Sequence, residues 1–181
     1  MFSHVHEILD VFDRFGDDSY DEAISQRDHA TQTAALALRD GATDELVIAA
    51  LLHDIGHLLD LAAGGGPSTV DLHHEVVGSN ALRRLLPEAV TEPIALHVEA
   101  KRFLTARDPA LIAHLSSGSR SSLERQGGPM SVDEMAAFER RAWFGDACRL
   151  RRWDDAGKVD GLVVPPFDTH LDRLRGIVGQ S

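Results

Sequence analysis

Cysteine is nearly absent from this 181-residue chain: Cys148 stands alone, so no intrachain disulfide can brace it. That usage fits a reducing compartment. No apolar run approaches the roughly 20 residues that cross a bilayer. The opening Met1-Phe2-Ser3-His4-Val5-His6 has neither the charged nor the apolar region of a secretory leader. A cytosolic protein is expected. Basic residues are scarce as well, with 18 Lys and Arg against 29 Asp and Glu and a net charge of −11. Such a chain is a poor match for a nucleic-acid backbone or an anionic membrane, so neither is an expected partner. Repeats, low-complexity tracts and period-2 alternation of strand length are also missing. An ordinary hydrophobic content of 43% over this length points to one domain, 1–181, of the all-α class.

Helix signals follow one another. Val5 to Phe15 is amphipathic and closed by Gly16. Tyr20 to Arg39 is rich in Ala, Leu and Gln and stops at Gly41. Thr43 caps a run to Leu61, with Asp44 and Glu45 where acids suit the helix dipole. Gly64-Gly65-Gly66-Pro67 breaks the chain. Val70 to Leu86 and Thr91 to Ala106 follow, with Pro93 expected in a first turn. Shorter pieces cover Pro109 to Leu115 and Ser119 to Arg125. Ser131 and Glu134 make a capping box. Phe138 to Lys158 reads as one long helix weakened at Gly145. Leu162 to Pro166 is an extended stretch, and Thr169 to Val178 a last short helix.

Within this frame the run Leu51-Leu52-His53-Asp54-Ile55-Gly56-His57 carries the chemistry. Adjacent helical side chains diverge by about 100°, so His53 and Asp54 grip a metal only if other helices add ligands. His57, one turn past His53, projects from the same side. Two imidazoles and a carboxylate able to bridge can seed a di-metal site in a bundle. A His-Asp pair can equally be a satisfied core hydrogen bond. Three further histidines shift that balance: His29 among alanines, His74 after the glycine break, and His97 between Leu96 and Val98. His4, His6, His114 and His170 are expected at the surface. Only one of His73 and His74 can face a given site. Asp154 or Asp155 is the sixth candidate, in Arg151-Arg152-Trp153-Asp154-Asp155-Ala156-Gly157-Lys158.

The order His29, His53-Asp54, His74, His97, Asp154 resembles the HD-domain superfamily. More narrowly, it is similar to the mixed-valence di-iron oxygenases of that superfamily, the PhnZ-type 2-amino-1-hydroxyethylphosphonate dioxygenases. The likeness runs from about Tyr20 to Lys158, leaving 159–181 as a tail. It includes Tyr20-Asp21-Glu22, His74-Glu75 with Gly78, the His97–Lys101 spacing and the run ending at Lys158. The resemblance implies an HD helical bundle with a dinuclear site in its core. One iron would take His29, His53 and Asp154, the other His74 and His97, and Asp54 would bridge them. It also implies Fe(II)/Fe(III) iron, O2 as co-substrate, and a resting-state Tyr20 that occupies an iron position until substrate binds.

In so acidic a chain the basic residues near these ligands are informative. Lys101 is one turn beyond His97; Arg151 and Lys158 lie three before and four after Asp154, on its face. His57, Lys101 and Arg151 can converge as a clamp for a phosphonate or phosphate. Pairing with surface acids is the alternative for Lys101 and Arg151. The resemblance carries His57, Lys101 and Arg151 over as oxyanion contacts, adds Ser119 as a hydroxyl donor, and gives Glu22 the substrate's ammonium group. The activity so implied is oxidative C–P cleavage of a small organophosphonate, releasing phosphate and a carboxylic acid such as glycine. A metal-dependent HD phosphohydrolase of nucleotides or other phosphate esters is the competing reading. A regulatory domain that keeps its metal without turnover is a third. Oligomeric state is not legible.

Overall fold

A computed structural model describes residues 1–19, 24–65 and 72–178. Tyr20, Glu22 and Val70 lie outside the described residues. Ten α-helices make up the described chain: α1 Val5–Phe15, α2 Gln26–Arg39, α3 Asp44–Leu52, α4 Ile55–Ala62, α5 His74–Leu82, α6 Glu88–Arg107, α7 Ser117–Arg125, α8 Val132–Phe138, α9 Phe144–Ala156 and α10 Leu171–Val178. Short 3-10 turns cover Pro109–His114 and Phe167–His170. Among the described residues there is no strand.

The bundle is organised around α3. Thr43 caps it through the Leu46 amide, and every residue from Leu46 to Leu52 is buried. A helix apolar on all sides belongs at the centre of a fold. The long α6 packs against α3, α5 and α9, and α2 lies across α3 and α9. One apolar cluster gathers Ile8, Phe12, Ile48, Leu52, Ile94, Leu150 and Leu174. A second gathers Phe103, Phe138, Met130 and Cys148 between α6, α8 and α9. Burial pushes the Cys148 thiol up to about 11, which makes it an inert core residue.

Several boundaries differ from the sequence expectations. The run expected from Thr43 to Leu61 is two helices, because the chain turns at His53 and Asp54. His53 Nδ1 donates to the Ala50 carbonyl at 2.9 Å, the acceptor that a continuing helix offers to the next turn. Asp54 leaves helical geometry at φ −99°, ψ 12°. Ser25, whose hydroxyl accepts from Asp28 N, starts α2 at Gln26 rather than Tyr20. α5 begins at His74 and ends at Leu82, short of Leu86. α6 begins at Glu88, which places Pro93 in its second turn rather than its first. The long helix expected from Phe138 to Lys158 is instead a turn after α8, which ends at Phe138, followed by α9. Trp143, with φ 65°, reverses the chain before Phe144.

One close approach positions the site. A Cβ at Gly56 would lie 2.0 Å from the His74 carbonyl oxygen and 2.9 Å from its Cα. Only glycine lets α4 and α5 meet there. His74 is thereby held beside Asp54.

Candidate metal centre

Six side chains from α2, the α3–α4 turn, α5, α6 and α9 converge inside the bundle. His29 Nε2 and His53 Nε2 are 3.2 Å apart, and Asp154 Oδ1 is 3.2 Å from His29 Nε2 and 3.7 Å from His53 Nε2. His74 Nε2 and His97 Nε2 are 3.1 Å apart. Asp54 lies between the two groups. Its Oδ2 is 3.4 Å from both His29 and His53, and its Oδ1 is 3.4 Å from His74 and 3.7 Å from His97. His53 and His97 are essentially inaccessible to solvent, and Asp154 nearly so.

Each ligand is oriented from behind. His29 Nδ1 donates to the Gly157 carbonyl at 2.8 Å, and His97 Nδ1 to the Ile94 carbonyl at 2.7 Å. With His53 on Ala50, three rings rest on backbone carbonyls, which can only accept. Their Nε2 atoms therefore carry lone pairs when the rings are neutral. The end of α9 supplies both the Asp154 carboxylate and, at Gly157, the carbonyl that orients His29. Gln32 holds that end in place by donating to the Val159 carbonyl and accepting from its amide. His74 differs: the buried Glu75 Oε2 is its Nδ1 neighbour at 3.6 Å.

This arrangement fits metal ions. The lone pairs of His29 and His53, facing each other at 3.2 Å, repel unless a cation lies between them. Ligand atoms about 3 Å apart are what an ion about 2.1 Å from each, at right angles, requires. Asp154 Oδ1 is buried without a hydrogen-bond partner, an oxygen that an ion would satisfy. Electrostatics agree. Burial opposes charge on His53, yet Asp54 and Asp154 outweigh it and hold its pKa at about 10. His29 is raised against the same burial by Asp154 and Asp54. Burial works against the Asp54 and Asp154 carboxylates too, but their partners, His53 for one and Arg151 for the other, keep both well below the usual range. The His29–His53 half of the pocket thus favours a cation, whereas burial and His74 push His97 well below the usual imidazole range.

His57 stacks on His74 with ring centroids 4.0 Å apart. Burial first, and His74 second, push its pKa down to about 3. It shares a potential ligand group with Asp54 and His74, rather than with His53 one turn away. His73 is exposed and in the left-handed region at φ 51°, turning His74 inward.

A basic cluster sits beside the ligands. Lys101 is buried and donates to Ser122 Oγ at 2.6 Å. Burial, then Arg151, lowers its pKa to about 7. Arg151 is buried against Asp154, with Nη1 to Oδ2 at 2.6 Å, and pairs with Asp155. Its Nη2 and the Lys158 ammonium both reach Ser119 Oγ, at 3.3 and 2.9 Å. Lys158, Ser122 and Gly157 are the residues sequence reasoning left without a role. Lys158 carried the one usable signal, its i+4 spacing from Asp154. One surface expectation is corrected: His170 is buried, whereas His4, His6 and His114 are exposed. A groove of about 550 Å³ lined by Arg83, Pro87, Glu92 and Ile177 includes none of the six converging residues.

An all-helical bundle with a buried His/Asp centre able to hold two metals, and cations beside it, defines a metal-dependent enzyme acting on anions. No family model matches the chain. Curated relatives do. A hydroxymethylphosphonate dioxygenase of Gimesia maris is 43% identical over 98% of this chain and 89% of its own length. A [1-hydroxy-2-(trimethylamino)ethyl]phosphonate dioxygenase (glycine-betaine-forming) of Leisingera caerulea is 36% identical over 87% of this chain and 81% of its own. An uncharacterised protein of Acanthamoeba polyphaga mimivirus is 31% identical over the whole chain. The chain belongs to the PhnZ-type family of phosphonate dioxygenases.

Proposed function

We propose that this protein is a di-iron dioxygenase that cleaves the C–P bond of a 1-hydroxyphosphonate. The oxygenase side of the reading rests on the two relatives named as dioxygenases, and the observation that carries its two-metal centre is Asp54, whose two oxygens each face a different pair of histidines at 3.4–3.7 Å. A carboxylate so placed is built to be shared by two ions. His29, His53 and Asp154 would hold one, His74 and His97 the other. A mixed His/carboxylate set suits iron, although manganese, cobalt and zinc accept the same ligands.

Bound iron would supply the redox chemistry that activates O2. The chain's residues do the rest. Lys101, Ser119 and Arg151 surround the phosphonate and neutralise its charge. His57, neutral at pH 7, offers a ring nitrogen to the same anion. Burial of the ligands excludes water. A hydroxyphosphonate and one O2 balance to a carboxylic acid and phosphate, with both oxygen atoms in the products and no external reductant. A small phosphonate is the partner, in the cytosol. The hydrolytic alternative consumes no O2.

The two relatives named as dioxygenases share a hydroxyl and a phosphonate on one carbon and differ in the substituent. We place that shared group at the centre. Glu22, paired with an ammonium, and Tyr20, at an iron position, retain their expected roles from sequence alone. The test is anaerobic iron loading followed by product analysis with hydroxymethylphosphonate, 2-amino-1-hydroxyethylphosphonate and its trimethylated relative. At least one releases phosphate with its acid: formate, glycine or glycine betaine. Glu22→Gln weakens the nitrogen-bearing substrates selectively. If no hydroxyphosphonate yields phosphate, the reading fails.

A further inference from the structure

Ser119 lies in the first turn of α7, and its hydroxyl has two cationic neighbours. Lys158 Nζ donates to Oγ at 2.9 Å and Arg151 Nη2 at 3.3 Å. A hydroxyl oxygen has two lone pairs and one proton. Both lone pairs are used here, and among the described residues no group accepts the proton. The O–H is thus left to an anion in the pocket. Ser122, three residues on, is a contrast. It accepts from Lys101 at 2.6 Å and gives its own proton to the Ser119 carbonyl at 3.0 Å.

Arg151 is poorly placed to set this direction alone. Its Nε and Nη2 pair with Asp155 and its Nη1 with Asp154, so most of its donors are engaged. Lys158 makes the shorter bond. It follows Gly157 at the end of α9, and its side chain is only 13% exposed. The same ammonium stands 3.4 Å from Asp154 Oδ1, a second route by which it can act.

We propose that Lys158 is a positioning residue of the anion pocket: by donating to Ser119 Oγ it commits that hydroxyl to donate its proton to a substrate phosphonate oxygen. This rests on the hydroxyphosphonate reading of the site, in which Lys158 has no part as a substrate contact. Loss of Lys158 frees Ser119 Oγ to turn and accept, so the substrate loses a donor although Ser119 is intact.

The test is a double-mutant cycle of Lys158→Met and Ser119→Ala in iron-loaded protein. The readouts are iron content, the iron EPR signal, and anaerobic binding of the hydroxyphosphonate that the panel identifies. Each single variant weakens binding about tenfold, the loss of one good hydrogen bond. The double variant is no weaker than Ser119→Ala, since Lys158 acts through that hydroxyl. Lys158→Arg recovers most of the affinity, and iron content and EPR signal stay unchanged. Lys158→Gln replaces Lys158→Met if the latter does not fold. Independent, multiplying losses overturn the proposal, as does unchanged binding in Lys158→Met. Loss of iron in that variant also overturns it, by showing that Lys158 acts on Asp154. If Ser119→Ala alone leaves binding intact, Ser119 is not a phosphonate contact and the proposal falls, while phosphate release from the panel still stands or fails separately.

Discussion

At the residue scale, Asp54 faces four imidazoles from the turn between α3 and α4. Removing its carboxylate takes an oxygen from each half of the centre. Asp54→Ala is expected to lower iron from two ions per chain to one or none, with complete loss of activity, read by metal analysis and EPR. Lys101 has a different signature. In the proposed site its charged form is the one that would bind a phosphonate, and burial with Arg151 brings its pKa to about 7 in the free protein. Affinity for substrate therefore falls as pH rises through about 7. Lys101→Ala keeps both metals and raises KM tenfold or more, because charge-assisted contacts contribute roughly 1.5–3 kcal/mol. It also flattens that alkaline limb in a profile of kcat/KM against pH. An unchanged KM removes Lys101 from the pocket. His29, His53, Asp54 and His97 were legible because each sits in or beside an apolar stretch where a polar group needs a reason, whereas His74 and Asp154 stand in polar runs and were chosen over His73 and Asp155 by the family resemblance. Lys158 and the Gly157 carbonyl were not, since their partners Ser119 and His29 are 39 and 128 residues away in sequence.

At the scale of elements, helix starts were readable where a side chain caps locally, as at Thr43, and at Ser131 with Glu134. Breaks were not. The turn at His53–Asp54 lies in a run that is helical by propensity, and the turn before Phe144 depends on Trp143 adopting a left-handed backbone. The first is fixed by the His53 ring on the Ala50 carbonyl, a bond that the residue pattern does not announce. Gly56 shows how much one such contact carries. A Cβ there meets His74 backbone atoms, not a flexible side-chain end, so α4 and α5 must part. Gly56→Ala is expected to destabilise the fold by about 1–3 kcal/mol. It should cost the metal proposed for His74 and His97 before the one proposed for His29, His53 and Asp154, which stand on other elements. Thermal unfolding and metal analysis of the purified variant check this. Full retention of both metals would separate the α4–α5 approach from assembly of the centre.

On the scale of the whole molecule, an acidic chain with a net charge of −11 keeps Lys101, Arg151 and Lys158 together beside its buried centre. Asp154 and Asp155 compensate two of those three positive charges, and a bound anion would meet the remaining one. The bundle thus sets its buried carboxylates and its cationic side chains a few ångströms apart, as the proposed metal and anion sites require. That juxtaposition is shared by an oxygenase and a phosphohydrolase, and geometry alone does not divide them. Oxygen does. The decisive measurement follows O2 uptake and phosphate release together, in iron-loaded protein given its hydroxyphosphonate. The account predicts one O2 consumed per phosphate released, no phosphate without O2, and no turnover when zinc replaces iron. Phosphate released at the same rate under nitrogen, or with zinc, would contradict it and make the protein a hydrolase.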